Sequence, residues 1–310
     1  MKKNRILITG GYGWIGFALT KMLVQQGFEV ISLVRIKQNN HLLANLPFME
    51  ANLLNAIDLK EIIQNFQPIW VIHTAAVSKP DACEANKENC YTNNVTLTEI
   101  ITSICKELAV SLLFFSTDFV FGNGGPHKEN ATYDPLNYYG YSKMLAEKYI
   151  ADNMTNYAIV RPVFVYGITE NWQKPGFLQW VIQQLAKKLP ISVVNDQVRT
   201  PVALIDLLQA MLIIIQNNHY GTFNIAGNQL ITPYHLASFT AQKLNLPNDL
   251  IIPTLSTSMQ AAAERPLSGG LNNAFTKEKL NWHPAPTLND AFCSILDELE
   301  AFKKTCKSSL

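Results

Sequence analysis

The first sixteen residues do most to limit what this chain can fold into. Ile6-Leu-Ile-Thr9, four residues suited to a buried strand, run directly into Gly10-Gly-Tyr-Gly-Trp-Ile-Gly16. Glycine loses more backbone freedom on folding than any other residue, so glycines at positions 10, 13 and 16 stand where something excludes a side chain. Trp14 to Gln26 then carries Ala18, Leu19, Met22 and Leu23 on one helical face, and Glu29 to Val34 reads as a second strand after Gly27. Strand, glycine turn, helix and strand make a βαβ unit, whose turn offers backbone amides and the positive end of a helix dipole to an anion. Gly10 is expected to make the tight turn, Gly13 to let phosphate oxygens approach the backbone, and Gly16 to let the helix pack on the strand. The loop fits both Gly11-x-Gly13-x-x-Gly16 and Gly10-x-x-Gly13-x-x-Gly16. It therefore predicts a dinucleotide site without choosing a subfamily.

The alternation continues. Ala56 to Phe66 reads as a helix, Ile69 to His73 as a strand apolar on both faces, Asn89 to Leu108 as a long helix, and Ser111 to Ser116 as a strand. A helix from Tyr139 to Asp152 and a strand from Tyr157 to Arg161 follow. Five strands with helical crossovers predict a Rossmann-type, doubly wound parallel sheet in an α/β fold. After Gly167 the rhythm weakens into a helix near Leu178 to Lys187, a short strand from Pro190 to Val194, and loops with isolated elements from Gly221 to Pro286. Thr232-Pro233 sets a capping hydroxyl before a proline at a first helical position. We expect a dinucleotide-binding domain over residues 1–167, rejoined by about 196–226 through a helix from Val202 to Gln216. Residues 168–195 and 227–310 are then a smaller, mixed α/β substrate lobe.

Of 310 residues, 48% are hydrophobic and 16% charged, enough to bury a large core. The formal charge of +1 gives no global field for nucleic acid or an anionic membrane, so an anion must be met locally. The five cysteines show neither a CxxC pair nor a metal-ligand spacing, which reads as free thiols in a reducing cytoplasm. The histidines likewise show no ligand spacing, and no metal is expected. The apolar run after Met1-Lys-Lys-Asn-Arg5 is too short for a signal peptide, and Leu207 to Ile215 falls short of the ~20 residues that span a bilayer.

Strand two ends Ser32-Leu33-Val34-Arg35, with Lys37 close behind and no carboxylate where one would hold a ribose 2′-hydroxyl. An arginine there meets a 2′-phosphate, so NADP is predicted over NAD. In Tyr138-Tyr139-Gly140-Tyr141-Ser142-Lys143 only Tyr139 lies four residues before the lysine on a helix. A neighbouring ammonium favours the ionised phenol, which predicts Tyr139 as a general acid or base with its pKa brought toward neutrality. This helix follows the strand ending Phe115-Ser116-Thr117-Asp118, and ligands sit beyond the carboxyl ends of such strands. Thr117 can reach the same substrate oxygen. His73, ending a buried strand, reads as a structural hydrogen-bonder.

In this order the motifs resemble the extended short-chain dehydrogenase/reductase family, and within it the dTDP-4-dehydrorhamnose reductase-like sugar-nucleotide reductases. The likeness runs on through His73-Thr-Ala-Ala76, Pro80-Asp81, Phe115 to Gly122, Pro135 to Lys143, Arg161 to Gly167, Asp196 to Pro201 and Arg265-Pro266. The resemblance implies that Tyr12, Trp14 and Ile15 join the glycines around the cofactor. Asn52 and Leu53 would border the adenine, Ala75 and Ala76 the phosphates and ribose, and Pro162, Val163 and Lys143 the nicotinamide end. Ser78, Asp118, Arg199 and Arg265 would face a nucleotide-sugar substrate. The implied reaction is NADPH-dependent reduction of a keto group, with Tyr139 protonating its oxygen, Thr117 orienting it and Lys143 lowering the phenol pKa. A homodimer is an assembly the resemblance allows. Arg199 stands where many such reductases have glycine, and Gly122-Asn123 replaces an acidic turn. Arg199 and Pro80-Asp81 also resemble the regulatory beta subunit of methionine adenosyltransferase, a binding protein on the same fold. An epimerase or dehydratase that retains its cofactor is a third reading of the same residues.

Overall fold

The computed structural model describes residues 4–36 and 46–308. Its main sheet joins β1 (Arg5–Thr9), β2 (Glu29–Val34), β3 (Phe48–Glu50), β4 (Trp70–His73), β5 (Ser111–Phe115), β6 (Tyr157–Pro162) and β8 (Gly221–Ile225) in the order β3-β2-β1-β4-β5-β6-β8. All pairings are parallel. The chain winds outward from β1 to β3, then returns to lay β4 on the other side of β1. That reversal opens a crevice at the carboxyl ends of β1 and β4, where ligands bind in such sheets.

Side-chain alternation along β1 fills both faces. Ile6 and Ile8 join Leu19 and Leu23 of α1 (Trp14–Gln25) and Leu207, Met211 and Ile214 of α8 (Leu204–Asn217). Leu7 points the other way, into a core with Leu59 and Ile63 of α2 (Ala56–Phe66), Leu97 and Ile101 of α5 (Leu97–Glu107), and Ile150 of α6 (Tyr138–Asn153). The α/β doubly wound sheet expected from sequence is thus present.

Two strands exceed the five expected. β3 is only three residues long, too short to show a period. β8 lies in a stretch that reads as loop because it holds the polar Asn224, which is fully buried with its backbone N–H donating to Thr276 Oγ1 at 2.9 Å. The long helix expected over 89–108 is also interrupted: α4 (Lys87–Tyr91) passes through a π-helical turn at Thr92–Thr96 before α5 begins.

The remaining chain builds a second core from α7 (Phe177–Ala186), α9 (Pro233–Lys243), α12 (Leu296–Ser308) and the parallel pair β7 (Ile191–Val194) and β9 (Ile251–Thr254). Thr232 caps α9, accepting from His235 N at 3.1 Å as the Thr-Pro pair predicts. The segment between β6 and α7 is tied to the glycine turn: Trp14 Nε1 donates to Ile168 O at 3.0 Å, and Gln173 Nε2 to Tyr12 O at 3.1 Å. All five cysteines are free thiols. Among the described residues no helix is long and apolar enough to cross a membrane.

Candidate active site

The turn from β1 into α1 fits its glycines closely. Gly10 has φ +76°, and a Cβ there would lie 2.8 Å from Ala75 N. A Cβ on Gly16 would lie 2.3 Å from Gly10 O, so side chains at either position would push helix, turn and β4 apart. Gly11 is constrained too, since its Cβ would come 2.8 Å from Ser32 Cβ. The sequence reading gave Gly11 no packing role, because the neighbour that excludes its side chain is on β2. Gly13 caps α1, and the first intrahelical bond runs from Phe17 N to Gly13 O at 2.8 Å. The earlier amides of this turn have no acceptor within the helix, and no acidic residue sits among them. Such a turn suits an anionic diphosphate.

The carboxyl end of β5 carries the second group. A Cβ on Gly140 would stand 2.0 Å from Phe119 O, so glycine lets α6 press against the turn that follows β5. Asn137 fixes the start of α6 by accepting from Gly140 N at 2.9 Å. Tyr139 is thereby brought into hydrogen-bond contact with Thr117, its ring edge-on to Phe119 at 6.0 Å between centroids. One turn on, Lys143 is 2% exposed, donates from Nζ to Phe115 O at 2.7 Å and lies 4.4 Å from the Phe114 ring centroid.

Burial overrides the electrostatics expected from sequence. It pushes the Tyr139 phenol above its ordinary value, against the lowering effect of the Thr117 hydrogen bond. Burial also pulls Lys143 down to about 8, partly offset by Glu147. The expected lowering of the phenol by Lys143 does not occur, because the cost of desolvating a phenolate is the larger effect. His73 is driven down to about 3 by burial, then by Lys143. It bonds Thr9 Oγ1 at 2.7 Å and Thr98 Oγ1 at 3.2 Å, the structural role expected of it.

A cleft of about 960 Å³ runs between these groups. Gly10, Gly13, Trp14, Ile15, Gly16, Arg35, Asn52, Leu53, Ala75, Ala76, Ser78, Tyr139 and Lys143 all line it. Arg35 is exposed at its edge; Lys37 lies outside the described residues. Three expected cofactor contacts are absent from the lining. Tyr12 packs on Phe48 and Trp172, while Pro162 and Val163 are buried at the end of β6. The sequence reading missed Thr74 and the polar wall of Asn86, Glu88, Asn89, Thr92 and Asn93. The run Asn86 to Asn94 contains four asparagines, an unusual density for a helix interior and the available signal. Its cause is visible at Asn94, buried at the π-turn, which accepts from Val77 N at 2.8 Å and donates to Ser142 Oγ at 3.0 Å.

The expected substrate contacts divide. Asp118 and Arg199 form a buried ion pair at 2.9 Å, with the guanidinium 4.8 Å from the Phe119 ring centroid. Burial raises the Asp118 carboxyl, and Arg199 opposes that. Arg265 and Asp81 instead line a second cleft of about 900 Å³ with Phe164, Phe177 and Trp180. There Arg265 bonds Asp81 through both terminal nitrogens, at 2.7 and 3.4 Å, and holds its carboxyl below the usual range.

The model of the family described as RmlD substrate binding domain matches residues 4–300. The chain is 26% identical over 275 residues to methionine adenosyltransferase 2 subunit beta of Bos taurus, covering 87% of this chain and 80% of that protein. It is 24% identical over 291 residues to a probable low-salt glycan biosynthesis reductase of Haloferax volcanii, covering 93% and 96%. A solved structure of dTDP-4-dehydrorhamnose reductase from Bacillus anthracis, in complex with NADP, superposes with a TM-score of 0.83 at 23% identity, covering 96% of this chain and 99% of that one.

Proposed function

This chain belongs to the RmlD substrate binding domain family, and from that premise we propose that it is an NADPH-dependent reductase of a keto group on a nucleotide-activated sugar. The observation that carries the reading is that Tyr139 and Lys143 line the cleft that begins at the glycine turn, with Thr117 beside Tyr139. The names of the Haloferax volcanii reductase and the Bacillus anthracis NADP complex support it.

The cleft suits the cofactor. Gly10 and Gly16 leave a cradle that a Cβ would fill, the first turn of α1 offers its amides, and Arg35 supplies a cation at the adenosine end. When bound, NADPH supplies the hydride. Tyr139 donates the proton to the carbonyl oxygen, and its raised pKa keeps that proton in place at neutral pH. Thr117 hydrogen-bonds the same oxygen and aligns it. Lys143, anchored on Phe115 O, holds its ammonium beside the reacting end. The second cleft takes the nucleotide portion, with Arg265 as the donor to its diphosphate. Arg199 acts through Asp118, fixing the turn after Thr117. In this reading residues 168–195 and 227–310 form the substrate lobe, and the protein works in a reducing cytoplasm, as a monomer or homodimer.

NADPH oxidation with dTDP-4-dehydrorhamnose as substrate tests the reading. The unmutated protein should turn over, and Tyr139→Phe should lose at least a hundredfold in kcat while NADPH affinity and Tm stay within error. Full activity in Tyr139→Phe overturns the assigned acid. No oxidation by the unmutated protein, together with tight binding of a methionine adenosyltransferase catalytic subunit, would favour a regulatory role, which the similarity to the bovine beta subunit makes the second reading.

A further inference from the structure

Phe115, Ser116 and Thr117 leave β5 one after another, and each is held by a different turn of α6. Lys143 Nζ donates to Phe115 O at 2.7 Å, Ser116 Oγ donates to Glu147, and Thr117 is hydrogen-bonded to Tyr139. Tyr139, Lys143 and Glu147 are four residues apart and so share one face of the helix. Two of the three serve the reaction proposed above. The third, Glu147, is fully buried and reaches neither cleft.

Glu147 is bound from several sides. Arg161 Nε contacts its two oxygens at 2.9 and 3.1 Å, Arg161 Nη2 reaches Oε2 at 2.5 Å, and Tyr133 OH donates to Oε2 at 2.8 Å. Arg161 is secured by Glu129 O at 2.8 Å and lies 5.0 Å from the Phe121 ring centroid. Stability alone does not account for such a pair, since buried ion pairs can often be replaced by packed apolar side chains without loss. What an apolar pair lacks is a fixed negative charge one helical turn from Lys143. The titratable groups facing that lysine are Glu147 and Tyr139 on its own helix, Cys83 on α3 (Pro80–Ala85), Cys90 on α4 and His73 on β4. Glu147 is the one carboxylate among them, and the foremost of the groups that favour the ammonium.

We propose that Glu147, clamped by Arg161, is a positioning residue for the Thr117–Tyr139–Lys143 group: it anchors Ser116, and with it the strand end bearing Thr117, and it supplies the counter-charge of Lys143. The inference rests on the reductase reading.

Two variants test it, with NADPH and dTDP-4-dehydrorhamnose as substrates. Glu147→Gln keeps the shape and an acceptor for Ser116 but removes the charge. The alkaline limb of the kcat profile, where Lys143 loses its proton, should move at least about one pH unit lower, because the foremost offset to burial is then gone. Ser116→Ala removes the anchor but leaves the Glu147–Arg161 pair. It should lower kcat about tenfold with KM unchanged for both substrates, Tm within error and the alkaline limb in place. A folded Glu147→Gln with the wild-type limb, or Ser116→Ala with wild-type kcat, overturns the proposal. Should Glu147→Gln not fold, Ser116→Ala decides alone. Tyr139→Phe separates the two readings: activity in that variant sinks the reductase assignment itself, whereas its inactivity beside unchanged Ser116→Ala and Glu147→Gln sinks only the positioning role.

Discussion

A 2′-phosphate at the adenosine end of a dinucleotide needs a cation at the mouth of the cleft, and Arg35 leaves β2 there, exposed on the lining beside Asn52 and Leu53. A charge-assisted hydrogen bond of this kind contributes roughly 1.5–3 kcal/mol. Arg35→Ala should therefore weaken NADPH binding at least about tenfold and leave NADH binding unchanged, as measured by calorimetric titration. Equal losses for both cofactors would make Arg35 a structural side chain, and equal affinities in the unmutated protein would favour an epimerase that retains NAD. The place of Arg35 on the cleft is legible because it depends on neighbours near in sequence. The place of Tyr139 on the cleft is legible for the same reason, but its electrostatics are not. The spacing to Lys143 says that an ammonium is close; it says nothing of how deeply both groups are buried, and burial decides the direction of both shifts.

At the scale of elements, local pattern carried most of the fold. α2 and β2 fall on the residues that periodicity gives, because the apolar stripe of one and the β-branched and aliphatic run of the other, broken only by Ser32, are complete within each segment. The features it missed are fixed from outside the segment. The π-turn forms so that Asn94 can bond Val77, 17 positions earlier, and Asp118 pairs with Arg199, 81 positions later. No window along the chain contains either partner. The junction of β1 and α1 is the opposite case, written in glycines because the elements nearly touch. Alanine at Gly16 would set Cβ 2.3 Å from a backbone oxygen, and overpacking of this kind costs about 1–3 kcal/mol. Gly16→Ala should lower Tm by several degrees and weaken NADPH binding at least about tenfold, since α1 must shift away from the turn. Gly176→Ala is the control: that residue has φ −72° and its nearest neighbour would be 3.6 Å away, so both readouts should stay near wild type. Equal losses at the two positions would mean that close approach does not govern the junction.

Across the whole molecule, His73 stands where the two halves of the sheet meet, on β4 beside β1, bonded to Thr9 on one side and to Thr98 of α5 on the other. Its ring lies 5.7 Å from Phe114, and Lys143 adds to the cost of charging it. In the folded chain it stays neutral until about pH 3, whereas in the unfolded chain it takes up a proton near its ordinary value of 6.5. Between those values the unfolded state binds more protons, so this contribution to stability is complete above 6.5 and is lost progressively as pH falls. Asp118 and Asp206 work with the opposite sign. Burial raises both carboxyls, so they hold protons more tightly folded than unfolded and favour the native state as pH falls. The total acid response is thus a difference, and only a comparison with a variant isolates the histidine. Moving from pH 7 to pH 5 should cost the unmutated protein about 2 kcal/mol more than it costs His73→Gln, read from urea midpoints at the two pH values. The variant should be the less stable protein at pH 7, because its amide cannot reproduce both ring contacts, and the gap should narrow on acidification. Parallel losses in the two proteins would show that His73 is not the group through which acid opens the centre of the sheet.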